Sequence, residues 1–490
     1  MAKGQTNSLC VIGGGGTQGI PTAPCTNITI TKGNGQVSLT WNDPPLIENI
    51  HGVDIEWKNT TVRYKKGSAP TSANDGTLAV VETTRNQYST SPLVISGLEN
   101  GSIYYVSVFP VSTKNAINTD ANQIVSATPK ATSIWTVKID QKNSNPLTCC
   151  TYADDAVGMT KGSSEWDDIF GYKPCIMKEG SVVGYLNPND FARYVDGSSA
   201  PITDPSYDVM IKFPRMGLNI STDSNDVITI SLTDDTSSSE FGYLAHKRGS
   251  VQKDSFYLGA YDASGGVLHS ISGTRPTTQV SISDFIGSTH NNKGTGYEIM
   301  GFYQWTYIQA LYVMKYGNLN SQQALGKGYT GSSDVQTSGA TDTKGMCYGN
   351  PNNGSDRVKL FGLEDAWGNV FQFICGLYSD GSRNLLTTTD NFGTDTSASA
   401  WEYNVSSGAT SNINGYIAKV QGTQNGGFVI KQKDGSSTTY FSDIGYLYAG
   451  YFPYVGGYWG AGDDAGVFYC YVTNSASDAY SSVGSRLMYL

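Results

Sequence analysis

Only one stretch of this chain, GFYQWTYIQALYVMKYGNLNSQQAL, strongly shows the three- and four-residue spacing of apolar side chains that is typical of an amphipathic helix. It predicts one helix packed on strands, with Gly317 where the helix ends. Elsewhere, short runs that alternate apolar and polar residues are separated by turn residues, and the chain contains 57 glycines and only 15% charged residues. We therefore predict a mostly β fold with an α+β C-terminal domain.

The charge of the chain limits its partners. The net charge is −10, and no run of Lys and Arg of the kind that neutralises phosphates is present, so we predict no binding to nucleic acid. No stretch reaches the roughly 18 apolar residues of a spanning helix, so we predict no membrane insertion. Residues 1–20 lack an apolar signal region, and we expect a flexible leader on a chain made in the cytoplasm.

Residues 21–130 have the pattern of a β-sandwich. The run NITITKGNGQVSLTW alternates apolar and polar residues on both sides of a Gly-Asn-Gly turn, which predicts a hairpin. Leu98, Gly101 and Tyr104 have the spacing of a tyrosine corner, in which the Tyr hydroxyl bonds to the backbone upstream. Together with Trp41 on an early strand, these residues resemble a fibronectin type III domain.

A second domain is predicted beyond a β-rich linking segment, residues 131–205. Three short elements occur in order in residues 206–490: Asp365 with Gly368-Asn369-Val370, Gly456-Gly457-Tyr458-Trp459, and Gly484-Ser485-Arg486-Leu487. They resemble elements of the formylglycine-generating enzymes and their relatives, which implies a C-type lectin-like domain. The Gly-Asn pair also predicts a tight turn with left-handed backbone angles, followed by a strand that enters the core.

The cysteines argue against the enzymatic chemistry of that family. Its enzymatic members hold copper with a pair of cysteines soon after the Gly-Gly-x-Trp element, whereas this chain has only Cys470 in that region and Cys375 lies before it. A thiol without a second ligand or a base is a small buried hydrophobic group, as we expect for most of the eight cysteines. The sequence therefore predicts no catalytic residue, metal or cofactor.

The end of the chain, about 443–490, is dense in Tyr, Gly, Asp and Ser. It resembles the variable region of proteins diversified by bacteriophage and bacterial retroelements, the family that includes the phage major tropism determinant. In that family, mutation of template adenines converts Asn codons to Tyr, Asp, Ser, Gly or Ala codons on a lectin-like fold. The resemblance implies scaffold residues at Gly457, Trp459, Ala465, Gly466, Phe468 and Gly484. It implies variable, ligand-binding positions at Tyr458, Gly460, Ala461, Asp463, Asp464, Tyr469, Tyr471, Asp478, Tyr480 and Ser482.

The residue types of this region suit an exposed binding face. Nine of the 32 tyrosines lie between positions 446 and 490, and Tyr supplies a large amphipathic contact area at low entropic cost. The alternative is that these tyrosines are core or subunit-contact residues in a Gly-rich sheet. Asp463, Asp464 and Asp478 lack the spacing of a calcium loop, which favours solvated variable positions over a metal site.

Two upstream segments, YLNPNDFARYVDGS and YDVMIKFPRM, resemble tail proteins of phages that infect Gram-positive bacteria. Together the resemblances imply a non-enzymatic receptor-binding protein of a phage tail that binds a host surface protein or glycan for adsorption. They also imply a homotrimer that contacts other tail proteins, assembled into the virion in the host cytoplasm. Two alternatives stay open: a cellular retroelement-diversified ligand-binding protein and a degenerate formylglycine-generating-type enzyme.

Overall fold

The computed structural model describes residues 19–50, 52–290, 293–390 and 392–490. Strands make up 39% of the described residues and helices 10%, which confirms the prediction of a mostly β fold. The described residues divide between Thr132 and Ser133 into two compact units. The leader predicted for residues 1–20 lies, up to position 18, outside the described residues.

The N-terminal unit has eight strands in its described residues. They are β1 (Thr26–Gly33), β2 (Gln36–Asn42), β3 (Ile47–Ile50), β4 (Val53–Lys66), β5 (Thr77–Glu82), β6 (Leu93–Ser96), β7 (Tyr104–Ser112) and β8 (Ile124–Ala127). One sheet has the order β1-β2-β6; the other has the order β3-β4-β7-β8, with β5 paired to β4. The buried side chains of the two sheets form one apolar core.

Both local features predicted for this unit are confirmed. β1 and β2 form an antiparallel hairpin that closes at the pair Gly33 and Gln36, and Gly35 in the turn has a φ of +60°, which glycine adopts without a steric penalty. The hydroxyl of Tyr104 accepts a hydrogen bond from the backbone N–H of Glu99 at 3.2 Å. A tyrosine corner therefore ties the start of β7 to the turn before it.

The C-terminal unit contains the remaining strands and all four α-helices of the described residues. The helices are α1 (Glu165–Phe170), α2 (Ile282–His290), α3 (Phe302–Tyr316) and α4 (Ser321–Ala324). The strands are β9 (Ile134–Asp140), β10 (Cys150–Asp154), β11 (Lys173–Lys178), β12 (Ser181–Asn187), β13 (Asp190–Tyr194), β14 (Asp208–Pro214), β15 (Gly217–Thr222), β16 (Val227–Thr233), β17 (Lys247–Arg248), β18 (Val251–Gln252), β19 (Ser255–Asp262), β20 (Tyr297–Ile299), β21 (Lys359–Leu360), β22 (Leu363–Glu364), β23 (Phe371–Phe373), β24 (Leu377–Ser379), β25 (Leu385–Thr387), β26 (Tyr403–Val405), β27 (Ile413–Val420), β28 (Ile430–Lys433), β29 (Ile444–Leu447), β30 (Phe452–Val455), β31 (Cys470–Asn474) and β32 (Val483–Tyr489).

One large sheet organises this unit. Its strand order in the described residues is β13-β12-β11-β14-β19-β32-β23-β30-β31-β29-β27-β28, and β20 also pairs with β32. Trp166 and Phe191, from the predicted linking segment, share one buried core with Trp367 and Phe468. Within the described ranges, no helix is both long enough and apolar enough to cross a membrane.

The predicted helix is α3, and its end is confirmed. Gly317 adopts left-handed backbone angles, and its N–H donates to the carbonyl of Val313 at 2.8 Å. The prediction that this helix is amphipathic is wrong, because all fifteen residues of α3 are buried. Two polar side chains of the helix have partners inside the core: Gln309 donates to the carbonyl of Val467 at 2.8 Å, and Lys315 pairs with Asp167 at 2.5 Å. Tertiary partners, rather than water, therefore accommodate the polar side of the helix.

The three sequence elements of the second domain meet on neighbouring strands. Gly368 and Asn369 form the predicted left-handed turn, with φ values of +83° and +61°, and β23 follows it into the core. β23 runs parallel to β32, where Gln372 pairs with Gly484, and antiparallel to β30, where Gln372 pairs with Val455. β23 therefore brings the turn, the terminal strand and the residues before Gly456 together.

His246 is fully buried next to α3. Its Nε2 lies 3.0 Å from the carbonyl oxygen of Pro214, and its ring packs against Phe256 and Tyr307 at centroid distances of 4.9 and 5.2 Å. Burial lowers the pKa of His246 to about 3. The folded chain therefore keeps this imidazole neutral at pH values where an unfolded chain protonates it.

Acidification from pH 6.5 towards pH 4 is expected to destabilise the C-terminal unit through His246. Over this range the unfolded state binds a proton that the folded state does not, so stability falls as the pH falls. Each full proton corresponds to about 1.4 kcal/mol per pH unit. In urea unfolding of the full chain at several pH values, His246→Gln should reduce the slope of unfolding free energy against pH by about one proton. An unchanged slope would contradict this assignment.

Candidate functional site

Three neighbouring strands place three tyrosines side by side near the C-terminal end of the chain. Tyr454 on β30 pairs with Tyr471 on β31, and Tyr471 pairs with Tyr446 on β29. Residues opposite one another on adjacent strands project from the same face of a sheet. The ring centroids of Tyr454 and Tyr471 are 4.8 Å apart and nearly parallel, and those of Tyr446 and Tyr471 are 4.1 Å apart. The strand register thus builds a row of closely packed phenol rings.

Phe371 extends this row onto a fourth strand. Its ring centroid lies 4.3 Å from that of Tyr454, 4.9 Å from that of Tyr458 and 5.2 Å from that of Tyr469. A backbone hydrogen bond holds the loop that carries Tyr458: the backbone N–H of Trp459 donates to the carbonyl of Asn369 at 3.0 Å. The left-handed turn before β23 therefore also fixes the aromatic loop against the sheet.

These rings line one open cleft of about 790 Å³. Its walls combine aromatic rings with small and polar residues. The lining residues are Phe371, Tyr446, Tyr448, Tyr451, Tyr454, Tyr458, Trp459, Gly460, Ala461, Asp464, Tyr469, Tyr471, Thr473, Asn474, Tyr480, Ser481 and Ser482.

Eight of the ten predicted variable positions line this cleft. They are Tyr458, Gly460, Ala461, Asp464, Tyr469, Tyr471, Tyr480 and Ser482. Their exposure differs widely: 48% of the surface of Tyr480 is exposed, whereas Tyr469 is only 5% exposed and belongs to the inner wall. Asp463 and Asp478 do not line the cleft.

The three aspartates among the predicted variable positions have three different local environments. Asp463 forms an ion pair with Lys327 at 3.0 Å. Asp464 accepts a hydrogen bond from the hydroxyl of Tyr416 at 2.5 Å. The carboxylate of Asp478 accepts from the N–H of Ser475 at 2.8 Å and closes a local turn. In the described part of the chain, no group of three or more His, Cys, Asp or Glu side chains could hold a metal ion.

Sequence reasoning missed half of the cleft wall. The sequence places Tyr446, Tyr448 and Tyr454 only within a Tyr-rich region, and Phe371 lies on the strand that is predicted to enter the core, where it is indeed buried. The signal that was available is the two-residue spacing of Tyr446 with Tyr448 and of Tyr469 with Tyr471, which in extended backbone places both members of a pair on the same side. The pairing of those strands depends on the fold and cannot be obtained from the spacing.

The residues predicted as scaffold mostly form a tight support under the cleft. Ala465, Gly466 and Phe468 are buried, and a side chain at Gly457 would lie 2.6 Å from the Cβ of Ala465. Trp459 differs from the prediction, because it lines the cleft itself.

Burial favours the neutral form of three tyrosine hydroxyls in the cleft. It raises the pKa of Tyr454 and Tyr469, and it is the largest cause of the raised pKa of Tyr446. Burial of phenols disfavours the charged phenolate, so these hydroxyls remain neutral hydrogen-bonding groups. Among the described residues of the lining, Asp464 is the only acidic side chain, and no Lys, Arg or His is present.

The described cysteines are all free thiols, and six of the seven are buried, which confirms the expectation for most of them. Burial raises the pKa of Cys470 to about 12, so its thiol stays protonated at neutral pH. Cys375 donates from its Sγ to the carbonyl of Ile299 at 3.1 Å. Both thiols are buried, Cys470 on β31 and Cys375 in the segment that follows β23.

Comparison of the sequence with protein-family models and with curated proteins gives no match to either. The geometry of the cleft and the composition of its walls therefore carry the functional argument.

Proposed function

We propose that this chain is a non-enzymatic receptor-binding protein of a phage tail, and that its cleft binds a host cell-surface protein or glycan for adsorption. The observation that carries the proposal is the convergence of eight predicted variable positions on one open aromatic cleft. Clustered tyrosines that share a concave, partly exposed surface are typical of protein binding sites. An exposed Tyr480 and a cleft of this size favour a binding face over a purely structural core.

The N-terminal unit supports the fibronectin type III part of the proposal. Its two sheets, β1-β2-β6 and β3-β4-β7-β8 with β5 on β4, have the strand arrangement expected of such a sandwich. The Tyr104 corner and the buried Trp41 agree with it. A β-sandwich module that precedes the binding domain in the sequence suits a tail protein.

The C-terminal unit supports the C-type lectin-like part. The elements that resemble this fold are distant in sequence but adjacent in the sheet, because β23 pairs with both β32 and β30. Arg486 in the last element is fully buried and bonds to groups on the neighbouring strands. Because one buried Arg side chain hydrogen-bonds to several strands, replacing it would leave their polar groups without a partner.

A homotrimer in the virion is part of the same proposal. Linked copies of one weak site raise the overall affinity without any new contact, because the second and third binding events become intramolecular. A site whose residues vary profits from this, since varied residues are seldom optimal for one ligand. A symmetric trimer would be observed as one species by light scattering of the full chain.

The experiment measures adsorption of the fluorescently labelled full chain to a panel of Gram-positive strains by flow cytometry. We expect the double variant Tyr458→Ala/Tyr471→Ala to lose about tenfold or more of the bound signal, because two central aromatic contacts are removed. Tyr185→Ala is the matched control, since Tyr185 is 37% exposed but lies outside the cleft. Wild-type adsorption by the double variant, or no labelling of any strain, would contradict the proposal.

Two further readouts separate the alternatives. Genes for tail proteins beside this gene favour the phage over the cellular ligand-binding protein. Copper-dependent oxidation of a cysteine peptide would instead favour the enzyme, which the packed position and raised pKa of Cys470 argue against.

A further inference from the structure

Among the residues that the structure describes, the cleft is lined by an acidic side chain but by no basic one. Its described lining contains the carboxylate of Asp464 and no Lys, Arg or His side chain. We propose that the cleft takes an organic cation, an ammonium or guanidinium group of the host ligand, between its tyrosine rings and Asp464. This inference rests on the proposed function and names the chemical class that the same site recognises.

The carboxylate is held in a defined place. Asp464 is half-buried, and the hydroxyl of Tyr416, on β27, donates to its Oδ1 at 2.5 Å. A carboxylate fixed by a neighbouring donor needs little rearrangement to meet a cation. Its neighbour Asp463 is outside the lining and is already paired with Lys327 at 3.0 Å. Two adjacent aspartates thus differ in the one property that matters here, their position relative to the cleft.

The rings supply the second element of cation recognition. The face of an aromatic ring carries a negative electrostatic potential, so it attracts ammonium and guanidinium groups that approach within about 6 Å. Tyr446, Tyr471 and Tyr454 pack in a row in which neighbouring centroids are 4.1 and 4.8 Å apart, and the row continues through Phe371 to Tyr458. Only ring faces that no neighbouring ring covers can meet a cation in the cleft. The charge of Asp464 contributes to the raised pKa of Tyr446 and Tyr469, so the carboxylate and aromatic rings lie close to one another in the cleft.

The charge of the whole chain acts in the same direction. A net charge of −10 produces a field that attracts cations and repels anions during encounter. An anionic ligand such as a phosphate polymer would meet neither a cationic side chain in the described lining nor a favourable long-range field. A neutral sugar stacked on the rings is the competing possibility, and it becomes an outcome of the test.

The first arm measures binding of small probes to the full chain by ligand-observed NMR. n-Butylammonium and n-butylguanidinium are the cationic probes, and n-butanol and butyrate are the neutral and anionic probes of similar size. We expect millimolar binding of both cations, with the neutral and anionic probes weaker by about fivefold or more. The cation signal should fall with added salt, because exposed charge interactions are screened. Equal binding of n-butanol and n-butylammonium would overturn the inference.

The second arm uses the two aspartates. Asp464→Asn should weaken n-butylammonium binding about fivefold or more, because it removes the charge at nearly constant shape. Asp463→Asn should change it less than about twofold, because that carboxylate lies outside the cleft and is exposed to solvent. Asp464→Glu keeps the charge and should keep the preference for cationic over neutral probes. Equal effects of the two Asn variants would overturn the inference, and the Glu variant distinguishes loss of charge from loss of fold.

The third arm separates this inference from the proposed function and identifies the source of the cation. If the tyrosine double variant loses cell adsorption but Asp464→Asn does not, the cation assignment fails and the receptor-binding function stands. If neither variant affects adsorption, the proposed function fails whatever the small probes show. Loss of adsorption after protease treatment of the cells assigns the cation to a Lys or Arg of a surface protein. Adsorption that survives this treatment and is still inhibited by n-butylammonium assigns it to an amine of a surface glycan.

Discussion

Replacement of Arg486 by Met is expected to lower the unfolding free energy of the C-terminal unit by about 3–5 kcal/mol. Arg486 is fully buried on β32. Its guanidinium donates to Gln372 Oε1 at 2.9 Å, to Asp262 Oδ1 at 2.9 Å, and to the carbonyls of Gly259 at 2.8 Å and Glu364 at 2.6 Å. Met fills part of the volume but leaves these acceptors, including a buried carboxylate, without their donor.

The measurement is hydrogen–deuterium exchange of the full chain, read on peptides from each unit. Exchange should accelerate in peptides from 133–490 and stay unchanged in peptides from 19–132, which serve as an internal reference. Asp262→Asn should cost less in the Arg486→Met background than in the wild type, because the two charges interact. Arg193→Lys, at an exposed position, should stay within about 0.5 kcal/mol of the wild type. Additive costs of the Arg486 and Asp262 changes would contradict the role assigned to the pair.

Replacement of Gly466 by Ala is the second large effect that we expect. A Cβ at this position would overlap Asp443 Oδ1 and Ser321 Oγ. Neither atom can move freely, because Asp443 accepts from the N–H of Phe468 at 2.7 Å and Ser321 accepts from the N–H of Val467 at 3.1 Å. Overpacking of this kind costs about 1–3 kcal/mol. It also shifts the backbone that leads into β31, so cleft-dependent adsorption should fall in parallel with stability.

Gly460→Ala is the matched control in the same loop. Gly460 is exposed, and the nearest atom to an added Cβ is in the half-exposed ring of Tyr458, 3.1 Å away. That ring can rotate, so the unfolding free energy of Gly460→Ala should stay within about 0.5 kcal/mol of the wild-type value in urea unfolding of the full chain. The contrast tests the division of this region into scaffold and variable positions. Similar costs for the two Gly→Ala changes would show that the division has no structural basis.

Several features of this fold were predictable because they depend on neighbours in the chain. The hairpin around Gly35, the tyrosine corner of Tyr104 and the left-handed turn at Gly368 and Asn369 all follow from local backbone preferences. The end of α3 at Gly317 belongs to the same class. Each of these features requires a residue type that few other types can replace, so the sequence carries the information directly.

Features that depend on burial were predicted less well. The spacing of α3 indicated one apolar and one polar face, but the helix is buried on all sides because Gln309 and Lys315 find partners inside the protein. The prediction of variable positions treated Tyr469 and Tyr480 alike, yet one is 5% and the other 48% exposed. The sequence shows which polar side chains need hydrogen-bonding partners, and only the fold determines whether those partners are water or protein.

The sequence by itself determined the mostly β character, the local turns and the region in which tyrosines accumulate, since these depend on residue type and spacing. The tertiary structure decided that Tyr446, Tyr454 and Tyr471 form one row, because that row requires β29, β30 and β31 to lie side by side. It also decided that Asp464 lines the cleft while Asp463 pairs with Lys327. Strand pairing between distant segments is set by the free energy of the whole sheet. For that reason the cleft cannot be predicted from the sequence alone.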